Sequence, residues 1–405
     1  MLSRRSLFTT VVFATATVAG PALAQSKYDT GASDTEIRIG NIMPYSGPAS
    51  AYGTIGKTIG AYFDKINAEG GINGRKIKYI SYDDAYSPPK AVEQARKLVE
   101  SDEVLAIMQP LGTASNTAIM KYMNGKKVPQ LFVATGATKF GDPQGFPWTM
   151  GWQPNYQSEG RIYAKYILDT NPNAKIGVLF QNDDYGKDLM KGLKDGLGAK
   201  ASMIVAEAPY EVSEPTIDSQ ILKLKAAGID LFVNIATPKF AAQAIKKLAE
   251  IGWKPVHILN NVSNSVGGVL KAAGLENAKE IVSTFYQKDP TDPAWKDDAG
   301  LKTWAAFMEK YYPDGDRTST FTTYGYSAAQ SMVQVLKQCG NDLTRANVMK
   351  QAASLKDVQL DMILPGIKLN TSATDFFPIE QMQLVRFTGT QWERFGEIIN
   401  GEIGG

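Results

Sequence analysis

One histidine, His257, and one cysteine, Cys339, are the only imidazole and thiol in 405 residues. Any Ser–His–Asp or Cys–His relay would have to use His257. That residue lies inside the apolar run Pro255-Val256-His257-Ile258-Leu259 and reads as a structural strand residue. Zinc sites draw on several soft ligands, which one Cys and one His cannot supply. Cys339 ends a helical-looking run with Met332, Val333, Val335 and Leu336, and reads as a small buried hydrophobe. The carboxylates come in adjacent pairs: Asp83-Asp84, Asp183-Asp184 and Asp297-Asp298. Neighbours on a strand face opposite sides, so such a pair rarely makes one two-carboxylate site, and loop and capping roles are expected. No catalytic residue, metal ligand or cofactor is expected, and a non-enzyme is the reading; a carboxylate-dependent hydrolase is the competing class.

Ala51-Tyr52-Gly53-Thr54-Ile55-Gly56-Lys57-Thr58 nearly matches a phosphate-binding P-loop, but Ala51 stands where the pattern needs Gly. The preceding strand also ends near Ile42, with Pro44 and Pro48 in between, so the loop does not spring from a strand end. Nucleotide binding is not expected. The aromatic residues say more. Tyr52, Trp148, Trp152, Tyr156, Tyr185, Phe285, Tyr286, Phe321 and Tyr324 fall at strand ends, loops or helix starts. Open parallel sheets bind ligands at the carboxyl ends of their strands, so this set suits a cleft for an apolar or ring-bearing molecule. Thr113, Ser115, Thr135 and Thr138 follow strands, where hydroxyls and helix-start N–H groups suit a carboxylate.

Positioning such a set takes a sheet with helices on both faces. Glu36 to Ile42 alternates with period two, as a strand does, and Gly56 to Ala68 keeps apolar residues at helical spacing. Lys76 to Tyr82 returns to strand, and Ser87-Pro88-Pro89 opens a helix. Short strands at Val104–Met108 and Gln130–Ala134 flank a helix over Ala114–Met123. The alternation resumes with strands at Lys175–Phe180, Ser202–Ala206, Asp230–Ile235, Pro255–Leu259 and Glu280–Phe285. Helices at Gly186–Leu197, Ile217–Ala227, Lys239–Ile251 and Val266–Ala273 lie between them. From Leu301 the pattern is mostly helical, over Leu301–Tyr311, Thr322–Cys339 and Asn347–Leu355, before a hairpin at Met382–Phe387 and Trp392–Ile398. Repeated strand–helix–strand units imply an α/β protein with parallel sheets, and their number implies two sheets in two lobes.

Composition agrees with a globular chain: 43% hydrophobic, 10% aromatic and 21% charged. The 43 basic and 41 acidic residues become equal in number once Arg4 and Arg5 are removed, which argues against nucleic acid as a partner. Met1 to Ala24 reads as a secretory signal, with Arg4 and Arg5 as its cationic start, an apolar stretch from Leu7 to Ala19, and cleavage after Ala24. Ser3-Arg4-Arg5-Ser6-Leu7-Phe8 resembles a twin-arginine export signal. No later stretch is long and apolar enough to span a bilayer, so a soluble, exported protein is expected.

These residues resemble the periplasmic solute-binding proteins of the branched-chain amino acid (Leu/Ile/Val-binding) type. The resemblance runs through Ser46-Gly47-Pro48, Tyr52-Gly53, Ile66-Asn67-Ala68-Glu69-Gly70-Gly71-Ile72-Asn73-Gly74, Tyr82-Asp83-Asp84-Ala85, Gly136-Ala137-Thr138, Asp184-Tyr185-Gly186 and Thr323-Tyr324. It implies the type I periplasmic binding fold: two doubly wound parallel-sheet lobes joined by a three-crossover hinge that closes on a ligand. Lobe 1 would comprise 25–150 plus 287–360, and lobe 2 151–286 plus 361–405. The implied first-lobe contacts are Tyr52, Thr113 with the Ala114 backbone, the Gly136 carbonyl and Thr138, with Ser115 competing for the place of Thr113. In the second lobe they are Tyr185, Thr237 and Val262, and closure would bring Trp152 over the apolar end of the ligand.

Two departures stand out. Amino-acid binders of this family use a second-lobe acid for the ligand's ammonium, yet the matching stretch, Asn260-Asn261-Val262-Ser263-Asn264, holds no carboxylate. Desolvating an ammonium without a counter-charge costs several kcal/mol, which favours a small carboxylate, aromatic or apolar, that lacks the amine. A disulfide found in some relatives is absent, since Tyr86 stands at one of its positions. The expected protein is a periplasmic monomer that hands its ligand to an inner-membrane ABC permease. A true amino acid binder and a ligand-sensing protein are the alternatives.

Overall fold

Among the described residues, eleven main strands divide between two sheets, and the division explains how one chain makes two lobes. The computed structural model describes residues 27–401; the secretory signal expected over Met1 to Ala24 lies outside them. In the first sheet β1 (Glu36–Met43), β2 (Lys76–Asp83), β3 (Ala106–Met108) and β4 (Gln130–Leu131) run parallel in the order β2-β1-β3-β4. β1 pairs with β2 along its whole length, from Glu36 opposite Lys76 to Met43 opposite Asp83. Its burial alternates at the start and becomes continuous towards Met43, as expected of a central strand covered on both faces. The strand expected over Gln130–Ala134 ends at Leu131, because Phe132 takes a left-handed φ of 54° and turns the chain.

The second sheet holds β5 (Ile176–Gln181), β6 (Ile204–Tyr210), β7 (Leu231–Ile235), β8 (Val256–Leu259), β9 (Val282–Phe285), β10 (Gln381–Phe387) and β11 (Trp392–Asn400). Their order is β11-β10-β9-β8-β7-β5-β6. The pairs from β6 to β9 are parallel, and the terminal hairpin adds β10 and β11 antiparallel at one edge. The strand expected at Ser202–Ala206 starts two residues late, since Gly198–Met203 forms a 3₁₀ turn.

Between β9 and β10 the chain returns to the first sheet's side. Tyr62 of α1 (Gly53–Ala68) meets Phe307 and Tyr326, with ring centroids 5.7 and 5.0 Å apart. Lys27–Tyr28 pairs there with Asp342–Leu343. The chain thus passes between the two sides near residues 150, 286 and 360–380. Among the described residues, no helix is long and apolar enough to cross a membrane.

The site is positioned by helix starts. α2 (Thr113–Lys126) begins after Gly112, whose φ of 101° suits glycine; a Cβ there would meet the Tyr86 ring at 2.7 Å. α3 (Tyr156–Thr170) is capped by Asn155, and α4 (Asp184–Leu197) by Asp183, whose carboxylate accepts from the Tyr185 and Gly186 N–H groups. α3 and α4 touch backbone to backbone, because a Cβ on Gly192 would lie 2.2 Å from the Gln157 carbonyl oxygen. That approach brings the first-turn rings of Tyr156 and Tyr185 to 5.1 Å. α5 (Thr320–Cys339), capped by Ser319, presents Phe321 and Tyr324 from its first turns.

Candidate functional site

These helix starts converge on a cavity of about 50 Å³ between the two sheets. From the first sheet's side come Tyr52, Ile55, Tyr86, Leu111, Gly112, Thr113, Ala134, Thr320, Phe321 and Tyr324. The second side contributes Tyr156, Tyr185, Thr237, Asn261 and Val262, and the connecting segments contribute Gln153, Tyr286 and Gln287. None of these lining residues carries a charge. Seven are aromatic, and their rings pack on one another: Tyr52 against Phe321 at 5.1 Å and Tyr156 against Tyr185 at 5.1 Å.

The lining is rich in neutral hydrogen-bonding groups. Burial raises the Tyr52, Tyr86, Tyr156, Tyr185, Tyr286 and Tyr324 hydroxyls well above the usual phenol range. They therefore keep their protons and can donate. The Tyr185 hydroxyl is buried with no partner among the described residues. Tyr86 accepts a bond from Gln181 Nε2 at 3.3 Å, and Tyr52 donates to the Val262 carbonyl at 3.0 Å. The Thr113 and Thr135 hydroxyls share one hydrogen bond of 2.7 Å at the start of α2, where no side chain caps the helix. Thr237 receives the Tyr210 hydroxyl on its backbone N–H side: its N–H donates to Tyr210 Oη at 3.0 Å, while its hydroxyl donates to Gln181 Oε1 at 3.2 Å.

Five of the residues expected from the sequence meet at this cavity: Tyr52, Thr113, Tyr185, Thr237 and Val262. The other five do not line it. Ser115 is buried, and its hydroxyl donates to Asp84 Oδ2 at 2.8 Å. Ala114 lies next to Thr113 in the first turn of α2, outside the lining. The Gly136 carbonyl accepts the Tyr156 N–H at 2.7 Å, so it orients α3. Thr138 sits on an outer groove, where its N–H and hydroxyl both donate to Asp188 Oδ2, at 2.8 and 2.9 Å. Trp152 is fully buried, with its indole N–H on Ser331 Oγ at 2.9 Å and its ring against Tyr324 at 4.8 Å. It supports the wall from behind.

Gln153, Asn261, Gln287 and Thr320 line the cavity without having been singled out. Gln153, Asn261 and Gln287 sit on connections or turns, which carry no periodic signal, and Thr320 is the first residue of α5. In the sequence Tyr86 stands out only as the absence of a cysteine. It reaches the cavity because Ala85 and Tyr86 both take left-handed φ values, of 51° and 60°.

The groups that could do chemistry lie elsewhere. His257 is buried on β8 beside Phe232, and burial lowers it to about 3. Cys339 is buried on α5, and burial pushes its thiol up to about 12. In the P-loop-like stretch the Thr58 hydroxyl donates to the Thr54 carbonyl inside α1. No group of three or more His, Cys, Asp or Glu among the described residues could hold a metal ion.

A family model described as periplasmic binding protein matches residues 36–391. The Leu/Ile/Val-binding protein homolog 1 of Brucella abortus (strain 2308) is 27% identical over 349 residues, covering 85% of this chain and 90% of that protein. A substrate-binding periplasmic protein from Ralstonia solanacearum superimposes with a TM-score of 0.80 at 22% identity, across 89% of this chain and 100% of that one. A branched-chain amino acid ABC transporter protein from Thermus thermophilus with bound valine gives a TM-score of 0.80 at 14% identity, across 90% and 96% of the two chains.

Proposed function

The chain belongs to the periplasmic binding proteins, of the Leu/Ile/Val-binding type, and from that premise we propose that it is an exported receptor whose lobes close on a small carboxylate without an α-amine and deliver it to an inner-membrane ABC permease. The observation that carries this reading is the uncharged lining of the cavity. An ammonium enclosed there would lose its water and gain only neutral acceptors, at a cost of several kcal/mol. A carboxylate is better served. The Thr113 hydroxyl and the uncapped start of α2 supply donors, and a helix start favours negative charge. The seven rings suit an aromatic or apolar remainder.

Size sets the order of events. About 50 Å³ is far below the few hundred a small-molecule site usually needs, so a ring-bearing acid enters only with the lobes apart. It then replaces ring–ring contacts as they close. Micromolar affinity requires about 8 kcal/mol, within reach of a few hydrogen bonds and one buried ring. On this reading the protein is a monomer without catalytic residues, its leader is removed after Ala24, and the lobe boundaries are those expected from the sequence.

An amino acid ligand is the second reading, and one feature favours it. Glu159 stands behind the lining residue Asn261, accepts its N–H at 2.7 Å, and has a buried Oε2 with no partner among the described residues. Burial raises this carboxyl to about 7, so much of it is neutral and a weaker counter-charge for an ammonium. A thermal-shift screen of aromatic acids, aliphatic acids and branched-chain amino acids tests the choice. Stabilisation by the acids supports the proposal; stabilisation by leucine with none by the acids contradicts it.

A further inference from the structure

Three carboxamides gather where the connecting segments meet the start of α5. Gln153 and Gln287 line the cavity with 4% and 7% of their surface exposed, and Gln109 beside them is fully buried. Tyr324 Oη donates to Gln153 Oε1 at 2.8 Å, and Thr323 Oγ1 lies 3.0 Å from Gln287 Oε1. Both of these bonds engage the amide oxygens, and no bond engages the amide nitrogens of Gln153 and Gln287 among the described residues; both polar atoms of Gln109 are buried without a partner there. Gln109 lies beside Tyr324. Two cavity-lining amides whose NH₂ groups bond no described residue leave donors free for a group that arrives from outside.

We infer that this wall is a second recognition point, which reads an uncharged hydrogen-bonding group of the ligand in addition to its carboxylate: a phenol, alcohol, ether or amide oxygen. The inference rests on the reading of the cavity as the binding site. The amides can serve either sense of hydrogen bond. Thr323 has one proton and two acceptors in reach, Gln287 Oε1 at 3.0 Å and the Thr320 carbonyl at 2.9 Å. When the proton goes to Thr320, Gln287 turns its NH₂ to Thr323 and its carbonyl to the cavity. A charged group is not suited, since no counter-charge lines the wall. Gln153 and Gln287 sit on the segments that pass between the lobes, where hinge motion displaces residues least. The wall therefore meets the ligand before closure as well as after it.

Titration calorimetry on the mature protein tests this with acids that differ by one hydroxyl. The probes are benzoate and 4-hydroxybenzoate, 3-phenylpropanoate and 3-(4-hydroxyphenyl)propanoate, and hexanoate and 6-hydroxyhexanoate. The wild type should prefer the hydroxylated member of at least one pair by about tenfold or more. In the Gln153→Leu/Gln287→Leu double variant that ratio should fall to near unity, whatever the absolute affinities. Single Gln153→Met and Gln287→Met variants, each lowering the ratio, replace the double variant if it does not fold. Equal binding of both members by the wild type, or a preference that survives the substitutions, overturns this inference alone. Failure of all six acids to bind overturns it together with the reading of the cavity.

Discussion

Tyr52 donates its phenolic hydrogen to the carbonyl oxygen of Val262 at 3.0 Å, joining residues 210 positions apart in sequence. Tyr52 sits in the turn that leads into α1, and Val262 in the short turn after β8. The bond crosses from one lobe to the other at the edge of the cavity, so it exists only while the lobes are together. The turn that carries Val262 is held from behind by Glu159, through the Asn261 N–H.

Tyr52→Phe keeps the ring against Phe321 and removes only the cross-lobe hydrogen bond. A bond of this kind contributes about 0.5–1.5 kcal/mol, so ligand affinity should fall roughly 3–10-fold. Calorimetry reads the affinity. Unchanged binding would show that this contact adds nothing to closure.

A second contact between the lobes lies outside the cavity. Asp188 Oδ2 accepts both the N–H and the hydroxyl of Thr138, its Oδ1 accepts from Gln157, and Lys139 pairs with Asp184 at 2.5 Å. Asp188→Ala should weaken ligand binding several-fold through faster release, because the closed form loses charge-assisted bonds while the lining is untouched. Stopped-flow dissociation checks this. An unaltered off-rate would mean that the latch does not hold the lobes.

Glu159 gives a pH signature with a definite sign. Burial raises its carboxyl from 4.5 to about 7, so the folded protein holds a proton that the unfolded chain has released. The stability this provides is fully present below pH 4.5 and is lost as the pH rises through 7. Glu159→Gln cannot ionise. Its stability relative to wild type should therefore increase from pH 4 to pH 8, by up to about 3 kcal/mol. Denaturant unfolding of both proteins across that range measures the gap, and a constant gap contradicts the assignment.

His257 runs in the opposite direction. Burial lowers its imidazole from 6.5 to about 3, so its contribution is present above pH 6.5 and is lost as the pH falls towards 3. It is the only histidine, so the untagged protein should show one imidazole in its NMR spectrum that does not titrate between pH 8 and 5. A midpoint near the ordinary value would place His257 in water.

Much of this architecture could be read from residue patterns. The two-residue period of Glu36 to Ile42 and the helical spacing after Gly56 became β1 and α1, and the terminal hairpin paired as expected. α3 is absent from the periodicity reading although Tyr156, Tyr163, Tyr166 and Ile167 are buried at helical spacing, beside the glycine-mediated contact with α4. Hydroxyls proved harder to place than rings. Ser115 and Thr138 have the chemistry of ligand donors, yet Asp84 and Asp188 already engage them. Only tertiary structure decides which acid reaches which hydroxyl. Gln153 and Gln287 were invisible for a related reason, because their burial is set by α5, which is distant in sequence from Gln153.

The α-amine decides the central claim, and two molecules that differ only by it make the sharpest comparison. Titration calorimetry of 3-phenylpropanoate and phenylalanine, at one pH near neutrality, measures what an added ammonium costs in a cavity lined without charge. The account predicts that the acid binds at least about 100-fold more tightly than the amino acid. Tighter binding of phenylalanine would contradict it.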